Sequence, residues 1–349
     1  MTLLFIDWVL VVEKLVLIAV VVLGSLLVAL YSTYAERKVA AFIQDRKGPN
    51  RAGPFGLLQP LADGAKFFFK EEVIPNSANK LLFILGPALA MSAALMTSAV
   101  IPWGDHIEIG GRIIPLQIAN VNIGILYVFG VVGMGVYGIM IGGWASNNKF
   151  SLLAALRGAS QVISYELAMG ITLITLIMLS GSLSLKDIVD QQMSAGHLWN
   201  IVYQPLGFLI FLICAFAECN RTPFDLSEAE NELNMGYHQE YSSMKLGFYL
   251  FAEYINMFIS SAVIATLYFG GYDIPFLDES TLNPNTAAIL GMVALMAKVV
   301  FFIFLFMWVR WTVPRFRYDQ LMDLGWKKLL PLALVNMLVT AAVVLWLKK

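Results

Sequence analysis

The sequence predicts an all-α polytopic integral membrane protein, with about eight transmembrane helices and one interfacial amphipathic helix. Three observations lead there. The 349 residues are 59% hydrophobic and only 13% charged, an apolar excess beyond that of ordinary soluble domains. Apolar runs long enough to cross a bilayer recur along the whole length. The charges gather between those runs, and the cations favour alternate connections.

The runs fall at roughly 9–34, 80–102, 121–144, 160–181, 204–219, 247–270, 287–310 and 328–347, and the fifth is short. They predict one membrane domain over 1–349, with cytoplasmic loops at about 35–79, 145–159, 220–246 and 311–327. The net charge of −1 says little, but its distribution says more. Of the 23 Lys and Arg, 17 lie in the odd-numbered connections. Eight run from Arg37 to Lys80, two are Lys149 and Arg157, two are Arg221 and Lys245, and five run from Arg310 to Lys328. The second and fourth connections contribute only Arg112 and Lys186, and the sixth none. Cytoplasmic loops carry the excess of cations, so the odd connections are expected in the cytoplasm and both termini outside. Lys348 and Lys349 run against that pattern.

The first run is too long for the apolar part of a cleavable signal, and Glu36, Arg37 and Lys38 follow it where a small-residue cleavage site would be. Topology anchoring accounts for Arg37 and Lys38 about as well as a functional site does. An acid such as Glu36 gains nothing from that rule. The first connection then holds KGPNRAGPFG, rich in turn formers and expected to be an ordered loop. Leu57 to Lys70 reads as an amphipathic helix. Gln59, Asp63, Lys66 and Lys70 fall at i, i+4, i+7 and i+11, and Leu57, Leu58, Leu61, Phe68 and Phe69 supply the apolar side. Pro60 suits its first turn. Such a helix either reinforces the surface or forms a lintel over an opening that admits a lipid-soluble molecule.

Charges within the spans are the next signal. Glu166 lies early in the fourth run and Glu253 in the sixth, where Tyr249, Glu253, Asn256 and Ser260 form one polar stripe. A polar stripe on a membrane helix should face inward or onto water. Lys298 sits near the centre of the seventh run, and Glu253 or Glu166 is its expected partner. Structural pairing alone is the plainer role for it.

The fifth connection is acidic where the rule for loops favours cations. Glu218 leads into it, and Asp225, Glu228, Glu230, Glu232 and Glu240 face only Arg221 and Lys245. Asp225 and Glu228 could cap a short helix, with Glu228 and Glu232 stacked unfavourably at i, i+4. Surface solubility explains some such runs. In a half-buried groove, desolvation and mutual repulsion raise carboxyl pKa values, and such acids load and release protons.

Other chemistries find little support. Cys214 and Cys219 cannot supply four thiolates for an iron–sulfur cluster. His106, His197 and His238 are scattered, so no metal site is expected. No phosphate-binding loop or dinucleotide fingerprint occurs, which assigns nucleotide chemistry to other subunits.

Four long segments carry a family resemblance. They are AERKVAAFIQDRKGPNRAGPFGLLQPLADGAKFFFKE, GWASNNKFSLLAALRGASQVISYE, AECNRTPFDLSEAENELNMGYHQEYSSMKLGFYLFAEY and VRWTVPRFRYDQLMDLGWKKLLPL. In that order they resemble the quinone-site membrane subunits of respiratory complex I, bacterial and mitochondrial. The family usually has Thr at Cys219 and commonly Pro at Ser227, and neither departure removes a carboxylate.

The resemblance implies an eight-span subunit joining the membrane arm to the hydrophilic arm, in a bacterial inner membrane or, alternatively, a mitochondrial one. Its substrate would be ubiquinone or menaquinone, reduced by electrons from NADH through flavin and iron–sulfur clusters on partner subunits. The amphipathic helix and the first and sixth spans would border the entry from membrane lipid. Glu36, Arg37, Arg46, Asp63, Asp225 and Glu228 would line the quinone chamber and its entry. Glu166, Glu218, Glu228, Glu230, Glu232, Glu240, Glu253 and Lys298 would form the proton and coupling route. A membrane subunit of a related energy-converting hydrogenase or formate hydrogenlyase is the alternative. RKGPNRAGPFGLLQP and PRFRYDQLM favour complex I. An autonomous transporter would show paired broken helices in two halves, and the sequence shows none. A purely structural anchor would tolerate neutral loop acids.

Overall fold

The computed structural model describes residues 8–194, 198–228, 230–275 and 283–347. The first helix, α1 (Trp8–Ile43), continues about nine residues past its apolar run, so Glu36 and Arg37 lie on helix and not in a loop. Next comes α2 (Gln59–Phe69), the amphipathic helix, with Pro60 in its first turn. α3 (Lys80–Thr97) starts at an Asn79 cap, and α4 (Gly124–Ala145) returns. A three-residue turn leads to α5 (Lys149–Ser180), whose start is fixed by the Asn148 side chain accepting from the Phe150 N–H at 2.9 Å. The expected loop at 145–159 thus shrinks to the residues between α4 and α5.

Two short helices, α6 (Leu185–Met193) and α7 (Asn200–Tyr203), precede α8 (Pro205–Glu218). At 14 residues α8 spans about 21 Å, short of the ~30 Å hydrocarbon core. The fifth apolar run therefore does not cross as one straight helix. Protein covers its length instead: Ile210, Phe211, Cys214, Ala215 and Ala217 are all buried. At its start, Gln204 donates to Thr340 Oγ1 at 2.7 Å and accepts from Asn336 Nδ2 at 2.9 Å. Irregular backbone at membrane depth survives where protein buries it in this way.

Beyond α8 the chain runs through turns and α9 (Glu230–Leu233) into α10 (Ser243–Tyr268). α11 (Pro284–Thr312) is followed by α12 (Tyr318–Asp323), a wider π-helical turn over Leu324–Leu329, and α13 (Leu330–Leu347). Among the described residues, seven helical stretches are long and apolar enough to cross a membrane, and α8 is a shorter apolar one.

α10 is the central helix. It packs against α1, α3 and α11, and most of its length is buried. α3 and α4 approach so closely that a Cβ on Gly138 would lie 2.8 Å from Gly86 O and from Ala90 N. Small residues permit such backbone contact between membrane helices.

At one end the chain adds a strand pair that the apolar pattern does not announce. β1 (His106–Ile109) and β2 (Arg112–Pro115) pair antiparallel with Ile107 opposite Ile114. Gly110 and Gly111, at φ 60° and 80°, make the two-residue turn. Asn285 ties this hairpin to α11 through both backbone groups of Glu108. The opposite end of the bundle carries the cation-rich connections.

Candidate functional site

Four charged side chains from four parts of the chain meet near the cation-rich end. Glu36 comes from α1, Glu253 from α10, Arg310 from the last turn of α11 and Arg221 from the turn after α8. Arg221, Glu36 and Glu253 have only 5%, 7% and 8% of their side chains exposed. Arg221 lies between the two acids, 3.9 Å from Glu36 Oε2 and 3.6 Å from Glu253 Oε2. Its guanidinium stacks 4.1 Å above the Tyr254 ring. The Tyr254 hydroxyl donates to Glu36 Oε2 at 2.8 Å, and Arg310 donates to Glu36 Oε1. Two cations and two acids thus share one buried site, as buried charge requires.

Tyr237 donates to Glu253 Oε1 at 3.2 Å. Burial, and then the charge of Glu253, push the Tyr237 hydroxyl far above its ordinary range, so it remains a donor. The Glu228 side chain reaches the Glu253 carboxyl and also acts on Asp225. Burial pushes Asp225 up to about 7, Glu228 adds to the rise, and Arg315, Arg310 and Arg221 oppose it. Arg315 itself donates to the Asp225 carbonyl.

A cavity of about 390 Å³ opens beside this cluster. α1, α2, α10 and α11 all line it, with Thr33, Glu36, Arg37, Asp63, Tyr254 and Arg310 as its polar groups. Leu30, Phe67, Leu250, Phe251 and Trp311 make the rest mostly apolar. α2 is pinned across it by Asp63, which accepts from Arg37 at 2.6 Å and from Gln59 at 3.0 Å. Outward, Phe69 is 89% exposed and Phe68 70%, an apolar edge suited to lipid.

Acids continue inward from the cluster. Glu218 and Glu253 line one small cavity together with Asn220, Tyr237, Tyr249 and Asn256. Glu218 is within electrostatic reach of Glu166. Glu166 in turn faces a cavity of about 330 Å³ between α4 and α5, with its Oε1 3.0 Å from where a Cβ on Gly133 would stand. Along α10, Tyr249, Glu253 and Asn256 line that small cavity and Ser260 lines a neighbouring apolar one, so the polar stripe turns inward.

The structure brings together Glu36, Arg37 and Asp63 at one opening, and Asp225, Glu228, Glu253 and Glu218 behind it. Arg46 stands apart, exposed and bonded to Gln44 at 2.7 Å. Glu232 pairs with Arg157 at 2.8 Å, and Glu240 accepts from Asn148 at 2.7 Å. The side chain of Glu230 lies outside the described residues, as do His197, Lys348 and Lys349.

Two expectations need correction. Lys298 does not pair with Glu253 or Glu166. Its ammonium donates to the carbonyls of Phe269, Gly271 and Asp273 at 2.7–2.8 Å and lies 4.6 Å from the Trp199 ring. The turn ending α10 offers converging carbonyls there, while Glu253 already faces Arg221. Nor do Asp225 and Glu228 cap a helix on which Glu228 and Glu232 stack: that helix begins only at Glu230.

In the sequence, Arg221 and Arg310 stand out only as loop cations, and Tyr254 and Tyr237 do not stand out at all. A signal existed, since Tyr254 neighbours Glu253 and Arg221 opens the acidic segment. Nothing local, however, announced that Glu36 would be the shared partner of Arg221 and Tyr254 from 185 and 218 residues away.

Fold and site together define a polytopic helical membrane protein whose buried arginine–carboxylate cluster borders an opening on its flank. The model of the NADH dehydrogenase family matches residues 15–341. The chain is 65% identical over 333 residues to the first NADH-quinone oxidoreductase H-subunit of Cytophaga hutchinsonii, covering 95% of this chain and 97% of that protein. It is 63% identical over 337 residues to the corresponding H-subunit of Flavobacterium johnsoniae, covering 96% of each. A more distant relative, the H-subunit of Thermomicrobium roseum, is 50% identical over 323 residues, 90% of this chain and 91% of that one. The chain belongs to the NADH dehydrogenase family.

Proposed function

We propose that the cavity under α2 admits a quinone from the lipid and that the Glu36–Arg221–Glu253 cluster transmits its reduction to a route of carboxylates. The chain is a membrane subunit of NADH–quinone oxidoreductase, and its relatives carry that name. Flavin and iron–sulfur chemistry belongs to partner subunits of the hydrophilic arm. The cation-rich end faces the cytoplasm of a bacterial inner membrane, with both termini outside.

The observation that carries this reading is one shared residue. Glu36 lines the opening and is also bonded into the buried cluster. A quinone gains two electrons and two protons on reduction, so charge arriving in the chamber acts first on groups such as Glu36 and Arg310. In a low-dielectric site that action is strong. Arg221 then passes it to Glu253, and Glu253 to Glu228, Asp225, Glu218 and finally Glu166.

Glu36→Gln in the assembled complex tests this. Quinone reduction by NADH should fall at least about tenfold relative to NADH oxidation by a water-soluble artificial acceptor, the scale of a lost charge in a proton-handling site. An unchanged ratio would remove Glu36, and with it the link between opening and cluster. Loss of quinone reduction without any change in proton pumping per electron would place Glu36 in quinone handling alone.

A further inference from the structure

At the other end of the bundle, near the hairpin, a second lipid-facing cavity of about 170 Å³ lies between α1, α10 and α11. Its walls are almost wholly apolar and include Leu17, Val21, Gly24 and Val28 of α1, Phe258 of α10 and Met296 of α11. On α1, Lys14, Leu17, Val21, Gly24 and Val28 fall at i, i+3, i+7, i+10 and i+14, one helical face. A cation therefore heads an apolar stripe. From Leu17 to Val28 that stripe runs about 17 Å, close to the ~15 Å depth of one leaflet. A Cβ on Gly24 would meet nothing within 4 Å, so the space beside it is open.

The polar groups at its head are underused. Lys14 donates to the Gln117 carbonyl at 3.0 Å and has no ion pair among the described residues. The neighbouring acid, Glu13, is taken by Arg112 at 3.3 Å. Trp103 lines the same cavity, stacks on Phe258 with ring centres 5.4 Å apart, and is 6% exposed. Its buried indole N–H has no hydrogen-bond partner among the described residues. Buried indole N–H groups ordinarily find an acceptor.

We infer that this cavity holds an acyl chain of an anionic phospholipid from the hairpin-side leaflet, with its phosphate on Lys14 and an ester oxygen accepting from Trp103. The lining alone would take any acyl chain, because lipid is as apolar as the cavity and only packing selects. Head-group choice rests on Lys14, whose charge no acid within ion-pair distance cancels among the described residues. The site is separate from the opening under α2, where Arg37 and Arg310 are already paired with Asp63 and Glu36.

Photoactivatable phosphatidylglycerol and phosphatidylcholine, exchanged into the purified complex, test the assignment. Phosphatidylglycerol should label the peptide spanning Lys14–Val28 about fivefold more than phosphatidylcholine, the preference one lysine confers near a surface. Lys14→Gln should abolish the preference, and Gly24→Phe, which fills the cavity, should abolish the labelling. Equal labelling by both lipids in the unaltered complex overturns the proposal, as does a preference that survives Lys14→Gln. Labelling of the same peptide by a photoactivatable quinone in place of either lipid also overturns it. Should Gly24→Phe not assemble, the first two arms decide alone.

Discussion

Burial pushes the Asp225 carboxyl up to about 7, and Glu228 adds to the rise. The folded chain therefore holds a proton that an unfolded chain, with a carboxyl pKa of about 3.9, releases. Stability from this group is fullest below the ordinary carboxyl range and declines as the pH rises through about 7. Asp225→Asn keeps the shape and cannot ionise. Between about pH 4 and 7 the segment from Asn220 to Ser242 should lose hydrogen-exchange protection, corrected for intrinsic rates, in the unaltered protein and not in the variant. Infrared difference spectra should show a carboxylic acid signal that titrates near pH 7 and disappears in Asp225→Asn. A pH-independent protection in both forms would mean that Asp225 is ionised throughout. At this scale the sequence showed the acids and their crowding. It could not show which acid would be buried, because the surroundings of Asp225 depend on Arg310 and Arg315 arriving from a distant part of the chain.

At the scale of elements, the packing of α3, α4 and α10 holds the cluster in place. The Tyr249 hydroxyl donates to Gly138 O at 3.0 Å, and a Cβ on Gly142 would overlap that hydroxyl. Gly142→Ala must therefore shift either α4 or the Tyr249 side chain, one helical turn before Glu253. Overpacking of this kind costs about 1–3 kcal/mol. The expected outcome is a lower thermal midpoint for the complex, recovered in large part by adding Tyr249→Phe, which removes the obstructing oxygen. Equal stability of Gly142→Ala and the parent would show that the helices separate freely here. Most elements were readable because apolar length and polar stripes report directly on burial: α2, α10 and the long spans all lie where those patterns put them. Helix ends were less so. α1 and α5 run past the bilayer-length pattern because a helix, once capped, needs no apolar residue to continue. The hairpin at 106–115 hid because four-residue strands carry too little periodicity to stand out.

Across the whole molecule, the polar groups trace a path from the flank at α2 to the opposite side at α4 and α5. Glu36, Arg221 and Glu253 begin it, Glu218 lies between, and Glu166 ends it. Glu166, like Glu218, has no arginine within ion-pair distance among the described residues, and it faces the α4–α5 cavity. Its surroundings are glycine backbone at Gly130 and Gly133 and the side chains of Tyr137 and Ile163. On the proposed route, a carboxyl group so placed would answer to charge arriving at Glu218, which is within electrostatic reach. If that answer carries the coupling, Glu166→Gln should leave assembly intact and lower both quinone reduction and proton pumping at least about tenfold, the range spanned by general acid–base groups. Glu166→Asp, which keeps the acid and shortens its reach, should restore part of both. Normal turnover together with normal pumping in Glu166→Gln would end the path at Glu218. A variant that reduces quinone normally but pumps less would show that coupling, and not quinone chemistry, passes through the α4–α5 face.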